Sequence, residues 1–187
     1  MDKQQRLFAA ARKCFSQSGF KQTSIAQIAA EAGVAVGTFY NFYESKTAIF
    51  LAVYNAENET AKRQVLAQVD LTAAPTELLP TVLNRIFQVT QDNRILQEWF
   101  NNAQLNAKVA QLNRTTYESS YIYTTLMQLV DQWRTRGWLK KTVSQDRIMS
   151  LFSALTVVDL HQRDLQTADY YQLLNDLIQG ILAVILK

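Results

Sequence analysis

Cysteine and histidine occur once each in these 187 residues, proline twice and glycine five times. The single cysteine, Cys14, allows no intrachain disulfide framework, which fits a reducing compartment. It falls on the apolar stripe of a first helix and reads as a buried structural residue. The single histidine, His161, has no Glu-x-x-His pair beside it, so a carboxylate–histidine di-metal site of the helical-bundle kind is excluded. No nucleophile–base pair stands out either, and the sequence predicts no catalysis, no metal and no cofactor. So few glycines and prolines argue against an architecture of strands and tight turns. With 48% apolar residues the chain can still bury a core, and the reading is all-α. Long apolar runs are missing too: Ile181 to Leu186 is far short of the ~20 residues of a membrane span. The opening MDKQQRLFAAARK lacks the apolar core and cleavage pattern of a secretion signal. The expectation is a cytoplasmic protein with no membrane partner, and neither repeats nor low-complexity tracts are present.

Charge is modest, a net +3, but unevenly placed. Residues 1–50 hold Lys3, Arg6, Arg12, Lys13, Lys21 and Lys46 against Asp2, Glu31 and Glu44, and residues 51–187 balance. The whole excess sits in the amino-terminal segment, as a phosphate-binding module requires. That segment contains TSIAQIAAEAGVAVGTFYNFYESK, residues 23 to 46. Ile25, Ile28, Ala29 and Ala32 recur at i, i+3, i+4 and i+7, the stripe of a short helix. Ser24 with Gln27 three residues on matches a capping box, with Thr23 an alternative cap. Gly33 then stops the helix. A second short helix, about residues 35–43, turns Phe39 and Tyr43 inward and Val36, Gly37, Thr38, Tyr40 and Asn41 outward. Upstream, Leu7, Ala11, Cys14 and Phe15 make the stripe of a first helix that Gly19 ends. Downstream, Ser45 caps a fourth helix and sets Lys46 in its first turn, within reach of a phosphate. Two helices joined this way form a helix-turn-helix, which sets one helix into the major groove of DNA. The bland alternative is an ordinary pair of packed helices.

Gly19-Phe20, Thr23-Ser24, Ile28-Ala29, Ala32-Gly33-Val34, Gly37-Thr38-Phe39-Tyr40 and Ser45-Lys46 resemble, in order and spacing, the amino-terminal signature of the TetR family of bacterial transcription regulators. The close resemblance covers roughly the first 50 to 60 residues. It implies a DNA-binding domain over residues 1–60, with the helix-turn-helix at about 24–43, and a second domain over 61–187 for effector binding and dimerisation. About nine helices are implied in all. Position by position, Thr23 and Ser24 match phosphate-holding residues at the second helix, and Gln27 a surface that touches base or backbone. Val36, Gly37, Thr38, Tyr40 and Asn41 match the recognition face, Phe42 a position often held by a DNA-facing histidine, and Lys46 the lysine on the DNA backbone. Three residues depart from the pattern: Ala35 replaces a Ser or Thr cap, Val36 a polar residue, and Phe42 the histidine. This recognition helix is unusually apolar, and Val36 is expected to meet thymine methyls.

In residues 61–187 the pattern predicts further helices, after a long fourth one at about 45–69. They fall at about 76–90, 93–102, 106–136, 144–164 and 168–186, with Pro75 and Pro80 bracketing the main connector and Ser144 or Thr167 as caps. The last two helices carry Leu151, Phe152, Leu155, Leu174, Leu177, Ile178, Ile181, Leu182 and Ile185. The final helix is apolar on nearly every side, which suits either a buried helix in a monomer or a two-fold interface pairing with its copy in a four-helix bundle. Gly180 would permit close approach there. Aromatic and polar residues between the two regions suggest a small-molecule pocket, as the resemblance also implies. Candidates are Phe87, Trp99, Asn102, Tyr121, Thr125, Gln128 and His161, with Tyr117 one turn before Tyr121; for each, plain core packing is the competing reading.

Taken together, the sequence predicts a ligand-responsive repressor that binds a pseudo-palindromic double-stranded operator as a homodimer and is released by a small-molecule effector. The alternative is a DNA-binding dimer governed by a protein partner or by its own abundance.

Overall fold

The computed structural model describes residues 1–102, 105–109, 111 and 120–187, with their side chains except at residues 99–101, 160 and 163. The regular secondary structure of the described residues is helical apart from one isolated antiparallel bridge, Leu139 to Leu186. Among them no helix is long and apolar enough to cross a membrane. They fall into two compact units: Met1–Ala61 with Val89–Leu112, and Lys62–Gln88 with Asn113–Lys187.

The first unit opens with α1 (Lys3–Gln22), capped by Asp2, whose carboxylate accepts from the Gln5 N–H at 2.8 Å while the Gln5 side chain returns the bond. Gly19, at φ +74°, breaks the helix where the sequence places its end, and a last turn resumes at Phe20. Then come α2 (Ile25–Glu31), α3 (Val36–Tyr40) and α4 (Lys46–Ala67), which belongs to this unit as far as Ala61 and to the second beyond it. Leu7, Ala11, Phe15, Ile28, Phe39, Ile49, Phe50 and Val53 are buried between them. Phe15 and Phe20 meet Phe50 edge-on at 5.2 and 5.1 Å between ring centres, the favoured geometry for aromatic pairs. Cys14 is half-buried, and desolvation followed by the nearby Glu31 charge pushes its thiol above the ordinary range, so it is no ready nucleophile.

Helix α6 (Arg94–Asn101) belongs to this unit. Its cap Asn93 accepts from the Ile95 and Leu96 N–H groups, and its amide donates to Glu57 at 2.8 Å. Glu57, buried on α4, also receives Arg12 of α1. Arg94 donates to the carbonyls of Gln17 and Ser18, and Glu98 accepts from the Phe20 N–H at 2.7 Å. A polar strap thus holds the kinked corner of α1.

The second unit takes in α5 (Pro75–Asp92) as far as Gln88, α7 (Tyr121–Thr135), α8 (Gln145–Leu160) and α9 (Tyr170–Ile185). Leu78, Val130, Trp133, Ile148, Ile181, Leu182 and Ile185 anchor its core. After α7, Lys140 N–H donates to the Ile185 carbonyl and Lys187 N–H to the Trp138 carbonyl, clipping down the carboxyl terminus.

Four helix boundaries differ from the sequence reading. Helix α5 begins at Pro75, so Pro80 lies inside it, as the expected range 76–90 has it, and does not bound a connector; Pro75 takes the first helical position, where its missing N–H costs nothing. The stretch 106–136 is not one helix, because Ser120 is extended (ψ 149°) and its hydroxyl caps α7 through the Tyr123 N–H. Asp169, not Thr167, caps α9. Helix α8 ends at Leu160, ahead of a short 3₁₀ turn at Gln162–Asp164.

Candidate nucleic-acid interface

The corner between α2 and α3 is built by backbone chemistry. Ser24 and Gln27 make the reciprocal capping box that starts α2: the Ser24 N–H donates to Gln27 Oε1 at 2.7 Å and the Gln27 N–H to Ser24 Oγ at 3.2 Å. At the other end, Gly33 sits at φ +64°, a region that glycine alone enters freely. Its N–H donates to the Ala30 carbonyl and that of Val34 to Ala29, both at 3.0 Å, the paired bonds of a Schellman stop. Beyond it α3 is anchored from beneath by Phe39, fully buried, with the rings of Tyr40 and Tyr43 at 5.4 and 5.9 Å.

What remains outside is a small, uncharged surface. Val36 is 43% exposed, Tyr40 56% and Phe42 39%; Gly37 and Asn41 are exposed and Thr38 is half-buried. Helical spacing puts Val36, Gly37, Tyr40 and Asn41 on one face. A methyl placed on Gly37 would meet no atom within 4 Å, so nothing inside the fold requires glycine there. Ala35 contributes no side-chain cap. Helix α3 closes at Tyr40 instead of Tyr43, through a tightened turn in which the Phe42 and Tyr43 N–H groups both donate to the Phe39 carbonyl.

Two residues matched to the DNA backbone turn inward. Thr23 is 2% exposed, and its hydroxyl donates to the Gly19 carbonyl at 2.8 Å and faces that of Cys14 at 3.2 Å, replacing the helical bonds lost at the Gly19 kink. Lys46 donates to the Phe20 and Thr23 carbonyls, both at 2.8 Å, with its ammonium 4.4 Å over the Phe20 ring. Both side chains build the module, and Lys46 keeps one of its three N–H groups for an outside acceptor. Ser24 and Gln27 are exposed.

Three of the six amino-terminal cations are thus engaged within the unit. Arg12 pairs with Glu57, Lys13 with Glu31 at 2.6 Å, and Lys46 with carbonyls. The hydrogen bond and charge of Glu31 hold the Lys13 ammonium above its ordinary pKa. Lys3, Arg6 and Lys21 have no ion pair among the described residues. The Arg6 guanidinium lies 3.6 Å from where a methyl on Gly33 would stand, beside the turn of the motif. Composition flagged these cations; only side-chain geometry separates the free from the engaged.

In the second unit the effector candidates do not come together. Phe87 packs on Tyr171 at 5.3 Å, the Arg63 guanidinium covers Tyr121 at 4.3 Å, and the buried Thr125 hydroxyl donates to the Tyr121 carbonyl. Gln128 is exposed, and so is His161, paired with Asp164 at 2.9 Å. Asn102, in the first unit, caps the next helical stretch through the Leu105 N–H. The side chain of Trp99 and all of Tyr117 lie outside the described residues. An open cleft of about 470 Å³ is lined by Pro80, Thr81, Asn84, Arg85, Gln88 and Tyr171, none of them a sequence candidate.

The interface candidates divide by burial. Phe152, Leu174, Ile178, Ile181, Leu182 and Ile185 are buried within this single chain. They are a correction to the expected two-fold surface: Phe152 on α8 and the other five on α9 are turned inward in their own chain. Leu177 is 36% exposed, Val184 41% and Val157 54%, and Leu151 and Leu155 are half-buried. Leu173, Leu177, Gly180 and Val184 recur at spacings of four, three and four, one stripe of α9, and a methyl on Gly180 would stand in open space. One polar pair escaped the sequence reading. The Tyr170 hydroxyl donates to Asp159 at 2.9 Å. Burial pushes the Asp159 carboxyl above the usual carboxylate range, against the pull of Tyr170 and Lys62.

Residues 7–53 match the family described as bacterial regulatory proteins, tetR family. An HTH-type transcriptional regulator of Mycobacterium tuberculosis is 25% identical over 95 residues, 51% of this chain and 47% of that one. The HTH-type transcriptional regulator HbdR of Aromatoleum sp. is 30% identical over 78 residues, 42% of this chain and 34% of that one. The chain therefore spans about half the length of the mycobacterial relative and a third of HbdR. Among solved structures, the transcriptional regulator FadR of Bacillus subtilis in complex with stearoyl-CoA superposes with a TM-score of 0.58 at 18% identity, covering 97% of this chain and 98% of that one. At that identity the likeness is one of fold.

Proposed function

We infer, from an amino-terminal module that belongs to the tetR family of bacterial regulatory proteins, that this chain is a transcriptional regulator that binds a pseudo-palindromic operator as a homodimer. The observation that carries the reading is the corner of α2 and α3. A helix locked from beneath by the fully buried Phe39 offers Val36, Gly37, Tyr40 and Asn41 outward, on the side where a helix-turn-helix meets the major groove. Tyr40, Ser24, the half-buried Thr38 and the free cations Lys3, Arg6 and Lys21 hold phosphates; Val36, Asn41, Phe42 and Gln27 face base edges. Two such helices must lie about one turn of DNA apart (~34 Å), and the open stripe Leu177, Gly180 and Val184, continued by the half-buried Leu173 and joined by Val157 of α8, is the surface that supplies the second copy. Repression follows when the bound dimer blocks the promoter. A small molecule with unequal affinity for two dimer shapes releases it; the ligand held by FadR, whose fold this chain shares, supports that part of the reading. The exposure of Gln128 and of His161, which pairs with Asp164, supports the alternative, a DNA-binding dimer controlled by a partner or by abundance.

Fluorescence anisotropy of the purified chain on duplexes from its own promoter region tests the reading, with sedimentation in parallel. Saturable binding by a two-chain species supports it. A monomer that ignores these duplexes in dilute buffer removes it. Repeating the titration with a long-chain acyl-CoA separates the two modes of control, because an effector must weaken operator binding by the same factor by which the operator weakens effector binding.

A further inference from the structure

The recognition surface contains no group able to make the commonest specific contact with guanine. From Ala32 to Tyr43 the sequence AGVAVGTFYNFY has no charged residue. Guanine is read in the major groove chiefly by a bidentate arginine or lysine, cytosine by a carboxylate, adenine by an asparagine or glutamine amide, and thymine by apolar contact with its methyl. The exposed side chains of α3 and its end, Val36, Tyr40, Asn41 and Phe42, match the last two of these. The free cations do not fill the gap. Lys3, Arg6 and Lys21 all belong to α1, and Lys13 and Lys46 are engaged inside the module. Gly37, with open space where a methyl would stand, lets the backbone of α3 come close enough for so short a side chain as Val36 to touch a base.

We propose that this chain reads A·T base pairs in each operator half-site, Val36 packing on a thymine methyl and Asn41 bonding the N6 and N7 edge of an adenine. The proposal rests on the DNA-binding reading above and specifies its substrate. It also makes each half-site contact weak in salt-dependent terms and strong in methyl-dependent ones, since the groove-facing surface contributes no charge.

Selection of duplexes from a randomised pool by the full chain is the first arm of the test. A·T pairs at the positions under α3 are expected in the recovered half-sites. The second arm replaces the selected thymines by deoxyuridine, which removes only the major-groove methyl. Binding should fall about four-fold for a methyl on Val36, the worth of one buried carbon. It should fall hardly at all in V36A, whose exposed position leaves folding untouched. N41A should lose about ten-fold in affinity and its preference for adenine. Fixed G·C pairs under α3, or equal binding of thymine and deoxyuridine duplexes by the unaltered chain, would overturn the A·T reading and leave DNA binding standing. Recovery of no sequence at all would overturn both. An A·T preference that survives loss of the methyls points to groove shape instead of Val36, and overturns the proposal equally.

Discussion

Two glycines show how the same residue serves opposite ends. At Gly19, φ is +74° and an added methyl would run into the Glu98 carboxylate and lie 3.2 Å from Arg94. At Gly37 the backbone is helical and the space is open. Gly19→Ala is expected to lower the stability of the first unit by more than about 1 kcal/mol, the cost of left-handed backbone, before any clash is counted. Gly37→Ala should raise stability by up to about 1 kcal/mol, because alanine is the better helix former, while weakening operator binding. Thermal melts beside anisotropy titrations read both. A Gly37→Ala chain that binds as tightly as the parent would show that no close approach occurs there. Lys46 makes a third case. Its match to a DNA-contacting lysine predicts a variant that folds normally and binds poorly; its bonds to the Phe20 and Thr23 carbonyls predict a less stable module. Lys46→Met keeps the aliphatic stem over the Phe20 ring but leaves two carbonyls without their donor, and should cost about 1–3 kcal/mol. An unchanged melting temperature would return Lys46 to the DNA.

Among the elements, periodicity located the amino-terminal helices well. There each stripe (Leu7, Ala11 and Phe15; Ile28, Ala29 and Ala32) has one destination, and each stop is a glycine with positive φ, Gly19 and Gly33. Helix α9 defeated the same logic. With apolar residues all round it, the sequence could not say which face meets its own core, and Ile181 and Leu177 looked equivalent although one is 9% exposed and the other 36%. Nor could spacing show that Ser120 starts a helix, or that Gln128 and His161 face solvent, since these depend on packing between distant segments. The division of α9 makes a paired prediction. Leu177→Glu and Val184→Glu should fold normally yet sediment as single chains, because each would bury an unpaired charge at the proposed two-fold contact; Ile181→Glu should not fold. A dimer that survives both exposed-face changes would move the interface elsewhere. The same helix carries Tyr170 on Asp159. A carboxyl whose folded pKa is raised contributes stability that is complete below its unfolded value, near 3.9, and lost as pH climbs through the folded value. Asp159→Asn keeps an acceptor for Tyr170 and removes the ionisation. It should melt higher than the parent at pH 7, with the gap closing below about pH 4; a variant less stable at neutral pH would mean the charged form is the one held.

At the scale of the whole molecule, the proposed function asks a weakly charged chain to grip a polyanion. A net charge of +3 conceals a tighter restriction, because Arg12, Lys13 and Lys46 already have partners inside the first unit. Of the six cations in residues 1–50, three per chain, Lys3, Arg6 and Lys21, have no ion pair among the described residues and remain to displace counterions. Each neutralised phosphate contributes about −0.9 to the slope of log affinity against log salt, so a dimer should show a slope near −5. A slope near −10 would require Arg12, Lys13 and Lys46 to leave their partners on binding. The pair on the surface tests the arithmetic directly. Glu31, at the end of α2, holds Lys13 at 2.6 Å with both side chains open to solvent. Glu31→Gln frees one cation per chain with little change in stability, since exposed ion pairs contribute about 1 kcal/mol or less. The slope should steepen by about 2 for the dimer, with tighter binding at low salt and no change in the preferred sequence. If the slope holds while affinity rises, Glu31 acted by repelling the DNA and Lys13 never reaches a phosphate. If neither moves, the amino-terminal face of α1 and α2 does not lie along the backbone, and the docking geometry itself must be redrawn.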